Sequence, residues 1–167
     1  ALLNGMEAND LETHYMKGWA YMKKKGEKNL MMAVIHFKKM LEIQPGMKKA
    51  YSMLADCYHD LNMLEPYLDV YDELFKKGDS LSDDFKKLLK IQKMNLLFKA
   101  KRYEDAIELG YDLEYHHPDL ELVSAILTYC LLKRKGENAE ESFQKAKERI
   151  KAYFADEVDI AKLMEGA

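Results

Sequence analysis

The chain has 167 residues, 48% hydrophobic and 33% charged, with a formal net charge of −3. That length suits one domain with a real core, and the composition excludes a disordered segment. The slightly acidic balance argues against a general nucleic-acid binder, which carries a basic excess, and no apolar stretch reaches the roughly 20 residues a membrane span needs.

Helical periodicity dominates, with no sustained strand alternation. The apolar spacing predicts helices over 11–25, 29–43, 47–60, 64–77, 82–100, 103–116, 120–135 and 138–153, with a short ninth over 158–164. Residues 1–10 read as the frayed tail of an earlier unit. Lys23, Lys24 and Lys25 close the first helix, where cations meet the carbonyl end of the dipole, and Gly26 follows as its left-handed cap. Pro45 ends the second helix. Pro66 falls in the first turn of the fourth, where a missing donor costs nothing. Ser80 with Asp83 three residues on resembles a capping box opening the fifth helix. Pro118 ends the sixth, and Gly136 caps the seventh. Connections this short fold neighbouring helices antiparallel, giving a chain of helical hairpins. Cys57 and Cys130 lie in the apolar pattern of two helices, so both are expected to be reduced core residues. The chain opens Ala1, Leu2, Leu3 without methionine. It reads as a processed product or an excised segment, and a cytoplasmic location is the expectation.

A beat recurs through these helices. Ala33, Phe37, Met40 and Pro45 stand at relative offsets 0, 4, 7 and 12, and Ala106, Gly110, Leu113 and Pro118 repeat them. Tyr67, Tyr71, Leu74 and Asp79 keep the spacing without the proline, and Ala139, Phe143 and Ala146 run a fourth copy. The anchors Ala33, Tyr67, Ala106 and Ala139 are separated by 34, 39 and 33 residues. A fixed period in this range marks a stacked repeat whose single units cannot bury both faces alone.

The pattern resembles tetratricopeptide repeats over about residues 11–153. Gly18 and Tyr21 fill the first-helix slots of unit one, ahead of Ala33, Phe37 and Pro45. Unit two reads Tyr51, Leu54, Ala55 and Tyr58, then Tyr67 and Tyr71. Unit three has Leu97, Tyr103, Ala106, Leu113 and Pro118, and unit four Leu127, Leu131, Ala139, Phe143 and Ala146. About three extra residues between Tyr21 and Ala33 also make unit one similar to Sel1-like repeats. Tyr67 replaces a small anchor, so the second hairpin is expected to splay or repack. The resemblance implies an all-α fold in one domain, a right-handed superhelical stack of four antiparallel hairpins, with repeats at about 11–46, 47–81, 82–120 and 121–153. A capping helix is expected within 154–167, where Val158, Ile160, Ala161, Leu163 and Met164 would pack near Phe143 and Ile150.

In such a stack the first helix of each hairpin lines a concave groove. By register this assigns Glu12, Tyr15, Trp19 and Met22 from unit one, and Lys49, Ser52, Asp56 and His59 from unit two. Unit three offers Ile91, Asn95 and Phe98, and unit four Ala125, Tyr129 and Leu132. Exposed aromatics mark partner sites; the competing reading packs Trp19 and Tyr129 between hairpins. Related repeats that grip acidic chaperone tails use lysine, asparagine and arginine where this chain has Tyr15, Trp19, Met53, Leu88 and Gln92, so that role is not expected.

Catalytic chemistry has little to stand on. His116 and His117 beside Pro118 have no third ligand at metal spacing and suit a solvated helix C-terminus. His36 sits among core positions. Neither Ser124 nor Ser142 lies in a nucleophile elbow, and no Gly-rich phosphate loop is present. The pairs Asp83–Asp84 and Glu140–Glu141 suit early helical turns. The expectation is a non-enzymatic protein–protein interaction scaffold, without cofactor or metal, binding an extended or helical peptide segment. Alternatives are a small secretion-type chaperone, a structural or oligomerisation segment of a larger repeat protein, or a homodimer formed through an exposed terminal repeat.

Overall fold

The computed structural model describes residues 2–77, 80–136, 139–141 and 144, with side chains from residue 9 onward. Among these residues it holds seven α-helices and no strand: α1 (Leu2–Lys24), α2 (Glu27–Ile43), α3 (Lys48–Asp60), α4 (Leu64–Lys76), α5 (Asp83–Lys99), α6 (Tyr103–His116) and α7 (Glu121–Arg134). Two compact units divide the chain, Ala1–Ser82 and Asp83–Ala167. In the first, α1 packs on α2, α2 on α3 and α3 on α4; in the second, α5 packs on α6 and α7, and α6 on α7. The division falls where the third repeat is expected to begin. The capping residues Val158 to Met164, with Phe143 and Ile150, lie outside the described residues.

Helices α2 and α4 show most plainly the apolar recurrence every three or four positions that gives a helix one buried face. In α2, Leu30, Ala33, Val34, Phe37 and Met40 are all buried, and in α4 Tyr67, Val70, Tyr71 and Leu74 are. All four anchors, Ala33, Tyr67, Ala106 and Ala139, are 0% exposed. Tyr67 is therefore enclosed, not extruded. The helix facing it, α3, brings Ala50 and Ala55 to the interior, also fully buried.

The turns show the repeat in backbone geometry. After α3, the N–H of Asn62 donates to His59 O at 3.0 Å and that of Met63 to Tyr58 O at 2.9 Å. After α5, Lys101 donates to Phe98 O at 3.0 Å and Arg102 to Leu97 O at 2.9 Å. These are the same paired bonds of a Schellman cap, displaced by the 39 residues that separate Tyr67 from Ala106. Asn62 and Lys101 hold φ of 56° and 60° at the left-handed position, and Gly136 holds 72° after α7.

Three local expectations are corrected. First, α1 starts at Leu2, well ahead of residue 11; no proline interrupts residues 2–10, so nothing stops the helix from continuing back. Second, the left-handed residue after α1 is Lys25, at φ 55°. Gly26 takes φ 86° and ψ 149° at the N-cap of α2 instead, a region open essentially to glycine alone. Third, Ser80 is no N-cap: α5 opens at Asp83, and the Ser80 carbonyl accepts the Lys48 ammonium at 2.7 Å. Pro66 does sit in the first turn of α4, and α1 does end in Lys23 and Lys24.

Helix α1 approaches α2 closely at Gly18. A Cβ built on Gly18 would stand 2.6 Å from Cε1 of Phe37, whose ring is fully buried. The bare backbone at Gly18 lets the aromatic reach it. Gly110 in α6 serves a similar approach, to Met94 of α5 and Leu127 of α7.

Candidate interaction surface

The residues assigned to a groove by register divide into two groups. In the first unit, α1 carries Glu12, Tyr15, Trp19 and Met22 along one stripe. Trp19 is 43% exposed, Glu12 is exposed, and Tyr15 and Met22 are half-buried. From α3, the Lys49 ammonium lies 3.9 Å from the centre of the Tyr15 ring. This contact joins α1 to α3, although α2 stands between them in sequence. Lys23, one turn on from Trp19, lies 4.9 Å from its ring. Cations on aromatic faces are attracted by the ring quadrupole and leave the ring edge accessible. Met16, beside this stripe, is 56% exposed.

The α3 stripe sinks inward along its length. Lys49 is exposed, Ser52 and Asp56 are half-buried, and His59 is buried. The Ser52 hydroxyl donates to Lys48 O at 2.9 Å, so its hydrogen goes to the helix backbone. His59 Nδ1 contacts Asp60 Oδ1 at 3.3 Å. The open part of this face is therefore Glu12, Tyr15, Trp19, Met22 and Lys49, with Ser52 and Asp56 at its edge.

In the second unit the assignment leads indoors. Asn95 is 1% and Phe98 5% exposed, Ala125 is buried, and Ile91 and Leu132 are half-buried. The cause is topological: α5 meets both α6 and α7, so more than one of its faces is enclosed. Tyr129 is half-buried, edge-on to Phe98 at 5.0 Å, and its hydroxyl donates to Glu140 Oε1 at 2.9 Å. Burial, then the Glu140 hydrogen bond and charge, push the Tyr129 hydroxyl up to about 12. It works as a fixed donor in a packed aromatic set with Phe98 and Tyr103.

Other chemistry-bearing groups are satisfied structurally. Cys57 and Cys130 are free and buried. Burial, helped by Asp56 and Asp60 for the first and Glu104 for the second, pushes both thiols up to about 12, which keeps them protonated and unreactive. His116 is more than half exposed in the last turn of α6, 3.6 Å from Asp112. A cleft of about 340 Å3 between α5 and α6 is lined by Lys86, Lys87, Lys90, Asp112, His116 and neighbours. Its charges close on one another: Lys90 holds Asp112 at 2.6 Å and lowers its carboxyl below the usual range. Among the described residues no three His, Cys, Asp or Glu side chains gather to hold a metal.

Register reasoning missed two features. One is the pairing of His14 with His36 across α1 and α2, at 3.1 Å; only the relative rotation of two helices brings them together. The other is the exposure of Tyr111 and Tyr115 on α6, at 51% and 84%. No family model matches the chain, and no curated protein is similar to it.

Proposed function

We propose that this chain is a non-enzymatic interaction module, made of tetratricopeptide-like helical hairpins, which docks a segment of another protein on the α1–α3 face of its first unit. One observation carries the reading. Trp19 stays 43% exposed beside Tyr15, while Lys49 reaches from α3 onto the Tyr15 ring. Two non-sequential helices thus contribute to one face, α1 with its aromatics and α3 with a cation. Tryptophan and tyrosine dominate interface hot spots because each buries much area at little conformational cost. The matching Schellman turns and the four buried anchors support the repeat reading.

An extended or helical segment with two or three apolar anchors fits a face of this kind. Peptides selected against the immobilised chain from a random displayed library test it. Trp19→Ala should weaken selected peptides by about 2 kcal/mol or more, with the helical content and melting of the chain nearly preserved. If the substitution unfolds the chain, Trp19 is a core residue and the docking face is elsewhere.

A further inference from the structure

The α1–α2 pair holds two imidazoles against each other. His14 Nδ1 and His36 Nδ1 stand 3.1 Å apart, with the ring planes tilted by 34°. Such a contact needs one nitrogen to donate and the other to accept. Two neutral rings of opposite tautomer satisfy it. One neutral ring and one imidazolium also satisfy it, the extra proton sitting on the far Nε2 of the donor. Two imidazoliums have no acceptor between them and repel.

The surroundings sharpen this. His36 is 9% exposed and stacks on Tyr21 at 5.7 Å, and Lys24 lies over the Tyr21 ring. Among the described residues, the charged groups acting on His36 are His14 and Lys17 from α1 and Lys39 from α2; α3, also packed on α2, contributes none, and no described carboxylate takes part. Metal binding is a poor alternative, since no third ligand joins the pair among the described residues.

We propose that His14 and His36 form an acid-sensitive latch, which ties α1 to α2 while one ring stays neutral and releases α1 when both are charged. His36 is the acceptor. Burial first, then His14, Lys39 and Lys17, hold its proton affinity below the ordinary histidine value of 6.5. In this arrangement His14, half-buried on α1, is the donor across the 3.1 Å contact. The unfolded chain therefore binds more protons than the folded chain just below pH 6.5. Stability is fully present above that value, falls as pH falls through the window, and levels off below the folded value of His36.

The test uses the full chain with labelled histidine nitrogens. At about pH 7.5 one ring of the pair should show the Nδ1–H tautomer and the other the Nε2–H form, with His36 taking its proton below the ordinary histidine value. Hydrogen exchange then reads the latch. Between about pH 7.5 and 5.5, protection of α1 amides relative to α5 amides should fall severalfold, by at most about tenfold. His36→Phe keeps a ring against Tyr21 and removes the titration, and should cut that fall to less than about twofold. Should that variant not fold, His14→Gln serves: His36 should then take its proton at a higher pH than in the wild type. Both rings in the Nε2–H form, an equal fall in His36→Phe, or an unmoved His36 in His14→Gln would each overturn the latch.

Discussion

Adding one methyl group at Gly18 tests the packing of α1 on α2 more sharply than any large substitution. In the native backbone that methyl would lie 2.6 Å from Cε1 and 2.8 Å from Cζ of Phe37. Ordinary carbon–carbon contact is about 3.5–4.0 Å, so the overlap approaches an ångström. The ring is 0% exposed and rigid, and cannot step aside without moving its own neighbours. Overpacking of this kind costs about 1–3 kcal/mol, whereas alanine for glycine inside a helix gains about 1 kcal/mol. An overlap this large puts the cost in the upper part of that range, about 2–3 kcal/mol, so the net should be a loss of roughly 1–2 kcal/mol. Without the close approach the sign reverses, and the variant becomes the more stable protein. Urea denaturation of wild type and Gly18→Ala, followed by helical circular dichroism, decides between the two. Phe37→Leu in the Gly18→Ala background should recover part of the loss, since neighbours in contact are not additive. Gly110→Ala is the internal comparison: its nearest obstacle is the terminal methyl of Met94 at 2.7 Å, which can rotate away. It should cost less than Gly18→Ala. A Gly18→Ala chain as stable as wild type would refute the proposed contact.

Ala106 is fully buried where α6 meets its neighbours, so Ala106→Leu should destabilise by roughly 1–3 kcal/mol in the same assay. Lys101 spends its left-handed φ of 60° without glycine's freedom; Lys101→Gly should stabilise by about 0.5–1 kcal/mol, read as a higher denaturation midpoint. Asp112, 42% exposed, is held ionised chiefly by its hydrogen bond from Lys90. Its depressed folded value means stability that is present above the unfolded carboxylate range and lost as pH falls through the folded one. Solvent screening limits the effect, so Lys90→Met should cost no more than about 1 kcal/mol at neutral pH. Nuclear magnetic resonance should show Asp112 titrating at higher pH in that variant.

Helix identity was legible because apolar spacing is a local property. The stripes Leu30, Ala33, Val34, Phe37 and Tyr67, Val70, Tyr71, Leu74 could be read without knowing what they touch, and both are buried as helical faces. The start of α1 was not legible, because residues 2–10 carry neither a clear apolar stripe nor a cap. The turn after α1 misled for a related reason: glycine signals a special conformation, but not whether it or Lys25 takes the left-handed position. Exposure was legible on α1, where Trp19 shares a stripe with Tyr15. That reading failed at Asn95 and Phe98, since register on α5 cannot reveal that α7 closes over one of its sides. The His14–His36 contact spans 22 positions and depends on how two helices are rotated, which no local pattern encodes.

The docking claim rests on Trp19, and one comparison tests it most directly. Peptides selected on the wild-type chain are measured against Trp19→Ala and, as a control surface, Tyr115→Ala, with melting curves for all three proteins. Tyr115 is 84% exposed on α6, outside the proposed face. The account predicts that Trp19→Ala loses about 30-fold or more in affinity, that Tyr115→Ala binds as wild type does, and that all three melt alike. Equal affinity of wild type and Trp19→Ala, or a loss confined to Tyr115→Ala, would contradict it.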